Sequence, residues 1–426
     1  MDNTQLAITG LQCVVCGTVY SVGQTDYVCP TCGPVGTLNA LYNYHPHQYV
    51  ANGTLTMWRQ RDLLPLNSEP LVGLQSIGGT PLIREDALER LASALDVRGV
   101  CIKNEGLNLS GSLKDRASAM VVNYAVQYLK RNIIATASTG NAAAALACCC
   151  AAVPEAHAVI FVPASAPEGK IAQMLVFGAT VLLVEGDYDT AFDLCWEACE
   201  AFGWYNRSTG INPITTEGKK TVVHEMAEQL GWQMPDVIVV SVGDGSIIGG
   251  VYKGCYELYS LGWIDKMPRL IGVQSSGSDA LVYAWENNLS PTEMTPRPAE
   301  TIADSISSRL PRDRAKALQA VRDSHGAFVR VPDAEILAAI PTLAQTSGVF
   351  AEPAAAATYA GAIEARKQGY IERHERILLL VTGNGLKDVH SAMQSVEHRH
   401  LTSISPTLTA VRAALQKTNL MNNDEM

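Results

Sequence analysis

From about Leu74 onward the chain alternates short apolar, β-branched runs with longer stretches whose apolar residues recur at helical spacing. The runs are "RGVCIK", "RNIIATAS", "HAVIFVPA", "ATVLLVEG", "DVIVVSVG", "RLIGVQS", "AFVRVP" and "RILLLVTG", and segments such as "TAFDLCWEACEAFG" lie between them. Strands buried on both faces read as continuous apolar runs, and strands that alternate with helices pair in parallel. The pattern predicts an α/β protein, a parallel sheet with helices on both faces. At 426 residues, two or three domains are expected rather than one. No internal repeat or low-complexity block interrupts the alternation, and the last 25 or so residues, ending "KTNLMNNDEM", look polar and are expected to fray.

Charge narrows the function classes. A formal net charge of −10 argues against nucleic acid as a partner, because phosphate backbones call for a basic surface. The longest suspicious apolar run, Ala142 to Val153, has 12 residues and is too short to span a bilayer, so no membrane partner is expected. "MDNTQLAITG" has no basic segment followed by an apolar one, which reads as no signal peptide. Eleven cysteines in a chain of this length, three of them consecutive at Cys148–Cys150 in an apolar run, fit free thiols in a reducing, cytoplasmic setting.

Four of those cysteines stand apart. Cys13, Cys16, Cys29 and Cys32 form two Cys-x-x-Cys pairs separated by 12 residues, each followed by a glycine, Gly17 or Gly33. A glycine there permits a tight knuckle whose amides face the thiolates. Four thiolates within tetrahedral reach make a closed structural zinc site, and a module this small depends on the metal for its folding energy. His45 and His47 follow in a polar connection and are read as solvated or capping residues, since the thiolates already close the zinc shell.

Three strands run into small-residue turns followed by helices: Ser138-Thr139-Gly140-Asn141, Gly243-Asp244-Gly245-Ser246 and Thr382-Gly383-Asn384-Gly385. Amides exposed by glycine at a helix start form an anion site, and in open α/β sheets such turns gather at the carboxyl ends of the strands. The glycine spacing at 243, 245 and 249 is not that of a dinucleotide fingerprint, and "RLIGVQS" ends without an acidic residue. The fourth feature is Lys114 in "NLSGSLKDRAS", at the start of an expected helix with Ser112 and Asp115 at capping-box spacing. A helix N-terminus and Arg116 both disfavour an ammonium there, which is the condition a Schiff-base lysine needs.

The segments "SGSLKDR", "STGNAA", "INPITTEGKKT", "VGDGSIIGG" and "TGNGLKD", in this order between about Gly73 and Asp388, resemble the threonine synthase branch of the fold-type-II (tryptophan synthase beta-like) pyridoxal-phosphate enzymes. That resemblance implies two doubly wound sheet domains. The large one would comprise residues 46–118 and 206–400 and the small one 119–205, with a zinc-ribbon-like module at 1–45 and a polar tail at 401–426. It implies pyridoxal 5'-phosphate besides the structural zinc, an amino-acid substrate and a homodimer. Lys114 becomes the Schiff-base lysine and the proton shuttle. Asn141 faces the cofactor's phenolic oxygen, Gly243, Asp244, Gly245 and Ser246 cradle its phosphate, and Thr382 meets its ring nitrogen. The amides of Ser138, Thr139, Gly140, Asn141 and Ala142 hold the substrate carboxylate.

The implied reaction takes O-phosphohomoserine and water to threonine and phosphate by γ-elimination and β-addition. A hydroxyl at Thr382 stabilises a protonated ring less than a carboxylate does, which suits elimination and replacement more than transamination. Four positions depart from the branch: Leu113 where an aromatic residue often stands, Thr215 where an arginine often serves the leaving phosphate, Asp244 for an asparagine, and Ser246 for a glycine. Lys170 and Lys219 are candidates to take over the phosphate. Two alternatives stand beside this reading. One is a serine or threonine dehydratase or β-replacement enzyme with the same cofactor, and the other is a silent paralogue serving as sensor or scaffold.

Overall fold

The computed structural model describes residues 8–45, 53–66, 68–166, 168–399 and 402–416. His47 and the side chain of Lys170 lie outside the described residues.

The strand–helix alternation folds into two separate sheets. The larger has six strands in the order Ala327–Val331, Arg269–Ser275, Val237–Ser241, Arg376–Val381, Gly99–Asn104 and Leu82–Ile83. Its first five strands are parallel, and only the short edge strand Leu82–Ile83 runs antiparallel. The central strand Val237–Ser241 is buried along its whole length, as its unbroken apolar run requires when helices cover both faces. The smaller sheet is wholly parallel, in the order Thr180–Val184, His157–Pro163, Ile133–Ala137 and Tyr205–Asn206. The run containing Cys148, Cys149 and Cys150 is the helix Asn141–Ala151, and all three cysteines are buried and free of disulfides.

A third, antiparallel sheet belongs to the N-terminal module, with strands Val19–Tyr20, Gly10–Cys13 and Leu38–Leu41 side by side. It docks on the helices Ile214–Gln229 and Ser246–Ser260 through buried polar groups. The Lys253 ammonium donates to the Ala40 carbonyl at 2.7 Å and pairs with Glu217, while the Tyr42 hydroxyl donates to Glu217 and the Tyr44 hydroxyl to Glu257, each at 2.7 Å. Lys220 closes the set, 2.6 Å from both carboxylates.

Near the C-terminus the sequence suggested only a frayed polar segment, but a helix forms over Leu408–Gln416. Leu408, Val411 and Leu415 share one face at helical spacing, a stripe masked by the polar residues around it. Among the described residues no helix is long and apolar enough to cross a membrane.

Candidate active site

Val237–Ser241 and Arg376–Val381 are adjacent parallel strands, so the turns at 243–246 and 382–385 emerge side by side at one end of the large sheet. Gly99–Asn104 lies on the other flank of Arg376–Val381 and leads through residues 105–113 to Lys114. The connection is stitched to the neighbouring turn by backbone bonds. The Leu113 amide donates to the Thr382 carbonyl at 2.9 Å and the Asn384 amide to the Gly111 carbonyl at 3.0 Å. Lys114 therefore begins its helix, Lys114–Asn123, directly beside Thr382.

That helix is not capped as its sequence suggested. Its N-cap residue is Leu113, with no side-chain cap. Asp115 turns back instead to accept from the Ser110 amide at 2.6 Å and from the Ser110 hydroxyl. Among the described residues, Ser112 Oγ is buried without a partner. Nor does Arg116 press on Lys114. Its guanidinium is buried between Glu105 and Glu225, 2.6 Å from each, and Lys103 completes the network by pairing with Glu225 at 3.0 Å. The cation beside Lys114 is Arg207. Burial first, then Arg207, brings the Lys114 ammonium down to about 8, while Glu352 and Asp244 pull the other way. The depressed lysine expected from the sequence is present, but for a different electrostatic reason.

The glycine turn at 243–246 is built for close approach. Gly245 has φ 92°, and a Cβ on Gly243 would come within 2.8 Å of Ile306. The turn opens the 15-residue helix Ser246–Ser260, whose first amides have no intrahelical partner. This amide cup at a helix start is the donor set a phosphate monoester requires. The Ser246 hydroxyl donates to Asp313 at 2.8 Å. The Asp244 carboxylate accepts from the Ser308 hydroxyl at 3.2 Å and from the Arg312 amide at 3.4 Å, and burial raises its pKa.

The turn at 138–142 belongs to the smaller sheet and reaches the others through Asn141, whose side-chain amide donates to the two Glu352 oxygens at 2.8 and 3.1 Å. Two of its five amides are already used. The Ser138 amide donates to the Phe161 carbonyl and the Gly140 amide to the Ser138 hydroxyl, both at 3.2 Å. Asn141 and Ala142, in the first turn of the Asn141–Ala151 helix, have no intrahelical acceptor. Asn141 and Glu352 also line a cavity of about 620 Å³, together with Thr139, Ser305, Asn384 and Lys387. Lys387 was not singled out from the sequence, and Glu352 with Pro353 was read there as a residue that could line the site or as easily lie on the surface. Burial raises the Glu352 carboxyl and lowers the Lys387 ammonium, so neither is an ordinary surface charge. The signal for Glu352 was "EPAAAA", an acid at the start of a small-residue helix, Pro353–Lys367.

Lys219 lies one turn after Thr215 in the Ile214–Gln229 helix and donates to the Thr215 hydroxyl at 3.3 Å. It is fully buried, and desolvation first, then Arg207, Lys114 and Lys316, push it well below its usual pKa.

At the N-terminus the sulfurs of Cys13, Cys16, Cys29 and Cys32 all lie within 4.8 Å of one another, with Gly17 and Gly33 at φ 74° and 64° in the two knuckles. The Tyr20 hydroxyl lies 3.0 Å from Cys29 Sγ, and the Cys32 amide donates to the same sulfur at 3.4 Å. Four convergent sulfurs, one of them accepting from a backbone amide, fit a tetrahedral metal ion.

Residues 74–383 match the family model described as pyridoxal-phosphate dependent enzyme. A threonine synthase of Methanosarcina acetivorans is 36% identical over 412 residues, 95% of this chain and 98% of that protein. A threonine synthase of Methanocaldococcus jannaschii is 34% identical over 91% of this chain and 95% of its own length. Among solved structures, the processed form of threonine deaminase isoform 2 from Solanum lycopersicum superposes with a TM-score of 0.62 at 21% identity. That match covers 85% of this chain and all of the other, and it supports the α/β fold alone. With these matches and the convergence of Lys114, the two glycine turns and Asn141 at one end of the sheets, the chain belongs to the pyridoxal-phosphate dependent enzymes, in the family of the threonine synthases.

Proposed function

We propose that the protein converts O-phosphohomoserine and water to threonine and phosphate. The observation that carries this reading is the placement of Lys114 beside Thr382, within reach of the charges of Glu352 and Asp244, in a chain whose threonine synthase relatives cover nearly its whole length. Pyridoxal phosphate, when bound, supplies an electron sink that acidifies the substrate's Cα and Cβ hydrogens. The free amides of Gly243 to Ser246 would hold its phosphate, and the Thr382 hydroxyl would face its ring nitrogen as a neutral partner. Lys114 would be the residue that holds the cofactor through its aldehyde. With its pKa near 8, a useful fraction is neutral at physiological pH, so its Nζ takes the Cα proton and returns one later.

The carboxylate of the substrate fits the amides of Thr139, Asn141 and Ala142, with Ser138 and Gly140 shaping the turn rather than donating from their own amides. Asn141 and Glu352 act as a pair at the cavity wall. A Glu352 carboxyl raised by burial can share a proton with a polar group that displaces the Asn141 amide. The four N-terminal cysteines hold a structural zinc, which the convergence of their sulfurs and the Cys32 amide donating to Cys29 Sγ support.

The test is turnover of O-phosphohomoserine by cofactor-loaded protein, following phosphate and threonine together. Equimolar release of both is expected. A keto acid and ammonia instead would make the protein a dehydratase, and no turnover by fully loaded protein would move the substrate to an unphosphorylated amino acid.

A further inference from the structure

A second cavity, of about 200 Å³, opens where the N-terminal module meets the smaller sheet, and it shares no lining residue with the cavity at Asn141 and Glu352. Asp26 and Tyr27 come from the loop between the two cysteine pairs, and Trp196 from the Tyr188–Phe202 helix. Trp204 and Asn206 follow that helix, and Arg131, just ahead of the strand Ile133–Ala137, completes the lining. The volume is below the roughly 300–1,000 Å³ of sites for drug-sized ligands, so it suits a molecule of few heavy atoms.

The buried side of this cavity offers hydrogen-bond donors that the fold leaves unused. Asn206 is 1% exposed. Its side-chain oxygen accepts from the Ser208 amide at 2.8 Å, but among the described residues its Nδ2 is buried without a partner. The Tyr27 hydroxyl accepts from the Asn206 amide at 2.9 Å, and among the described residues its own hydrogen has no acceptor. Burial raises the pKa of the Tyr27 phenol, so that hydrogen stays in place. Two adjacent donors in a cavity wall call for an acceptor, because a buried donor left unmet is costly to keep.

The rim has the opposite character. Asp26 and Arg131 face each other there at 3.5 Å, both partly exposed. A closed charge-assisted bond is about 2.7–2.9 Å long, so each group keeps capacity for a ligand. Glu200 stands at the same rim, beside Gly203, which ends the Tyr188–Phe202 helix at φ 70°. The C-terminus of that helix adds negative potential. The rings of Tyr27 and Trp196, edge to face at 5.4 Å, and the indole of Trp204 supply apolar surface.

We propose that this cavity binds a free α-amino acid with an apolar side chain. Its carboxylate accepts from Asn206 Nδ2, the Tyr27 hydroxyl and Arg131. Its ammonium pairs with Asp26 and Glu200, and its side chain lies against Trp196 and Trp204. A carboxylate alone would crowd the two acids, and an ammonium alone would leave the two donors unmet. The site stands apart from the catalytic cavity but is tied to it through Ser208. The Ser208 amide donates to Asn206, and its hydroxyl accepts at 3.2 Å from the Ala137 amide, directly before the turn at 138–142.

The test uses the holoenzyme and L-leucine, with binding followed by calorimetry and the cofactor's visible absorbance recorded in the same samples. L-leucine should bind without changing that absorbance. Isoamylamine, which lacks the carboxylate, and isocaproate, which lacks the ammonium, should each bind at least about ten-fold more weakly. Asn206→Asp keeps the acceptor for the Ser208 amide and removes the donor, so it should weaken L-leucine binding by about ten-fold or more. Asp26→Asn, at the partly exposed rim, should weaken it by about two- to five-fold. Should Asn206→Asp fail to fold, Asp26→Asn and the two half-ligands decide. Absence of L-leucine binding by the wild-type holoenzyme overturns the proposal. Binding that changes the cofactor absorbance and is indifferent to both variants places the amino acid on the cofactor and overturns it as well. Isoamylamine binding as tightly as L-leucine also overturns it, because the cavity would then be a cation cage.

Discussion

The Ile214–Gln229 helix carries two kinds of buried charge within three turns. Glu217, Lys220 and Glu225 belong to closed sets in which each charge has an opposite partner within 3.0 Å. Lys219, between two of them in sequence, has a hydroxyl and a surplus of positive neighbours. Closed networks fix how helices and modules dock, and removing one member strands the others. An open cluster does no such work in the free protein. Burial and its cationic neighbours drive Lys219 toward the neutral form instead.

Breaking a closed set should have the largest effect. Arg116→Met leaves Glu105 and Glu225 with Lys103 alone and should lower unfolding stability by about 3–5 kcal/mol. The matched change in the open cluster, Lys219→Met, strands no carboxylate and should leave the cofactor-free protein within about 1 kcal/mol of wild type, or above it. Denaturant titration of both variants measures the pair, and equal losses would erase the distinction between the two regions.

A smaller effect should follow from disturbing a closed set from outside. Metal analysis should find about one zinc per chain, and Cys29→Ser should lose it. The unravelled module would withdraw the Tyr42 and Tyr44 hydroxyls and the Ala40 carbonyl from Glu217, Glu257 and Lys253. Those three charges keep one another and Lys220, so the rest of the fold should lose only about 1–2 kcal/mol, seen as faster hydrogen exchange in residues 214–229. Protein prepared without chelator and free of zinc would remove the metal from this picture.

The sequence made the large features readable because they rest on local rules. Unbroken apolar runs predict buried parallel strands, and "CVVCG" with "CPTCG" predicts the sulfur cluster that forms. Lys114 was found from its position at a helix start. Its neighbours were not, since Arg207 lies 93 residues away in sequence and reaches it only through the packing of the two sheets. Arg116 was misread for the same reason: adjacency in sequence suggested repulsion, whereas Glu105 and Glu225 come from other elements to enclose it. Ser112 and Asp115 have capping-box spacing, yet the backbone is held by Thr382 and the carboxylate by Ser110, so tertiary contacts overrode the local motif. From the sequence Glu352 could line the site or as easily lie on the surface, and it is the Asn141 side-chain amide, beyond the other sheet, donating to it that places it in the site.

Three lysines around the site, Lys114, Lys219 and Lys387, have depressed pKa values, and only one of them can be the amine that carries the cofactor. Borohydride reduction of the holoenzyme followed by peptide mapping distinguishes them directly. The label should sit on Lys114, in the peptide spanning "SGSLKDR", with Lys219 unmodified. A label on Lys219 or Lys387, or none in protein that had bound the cofactor, would contradict the assignment of Lys114 as the reacting lysine.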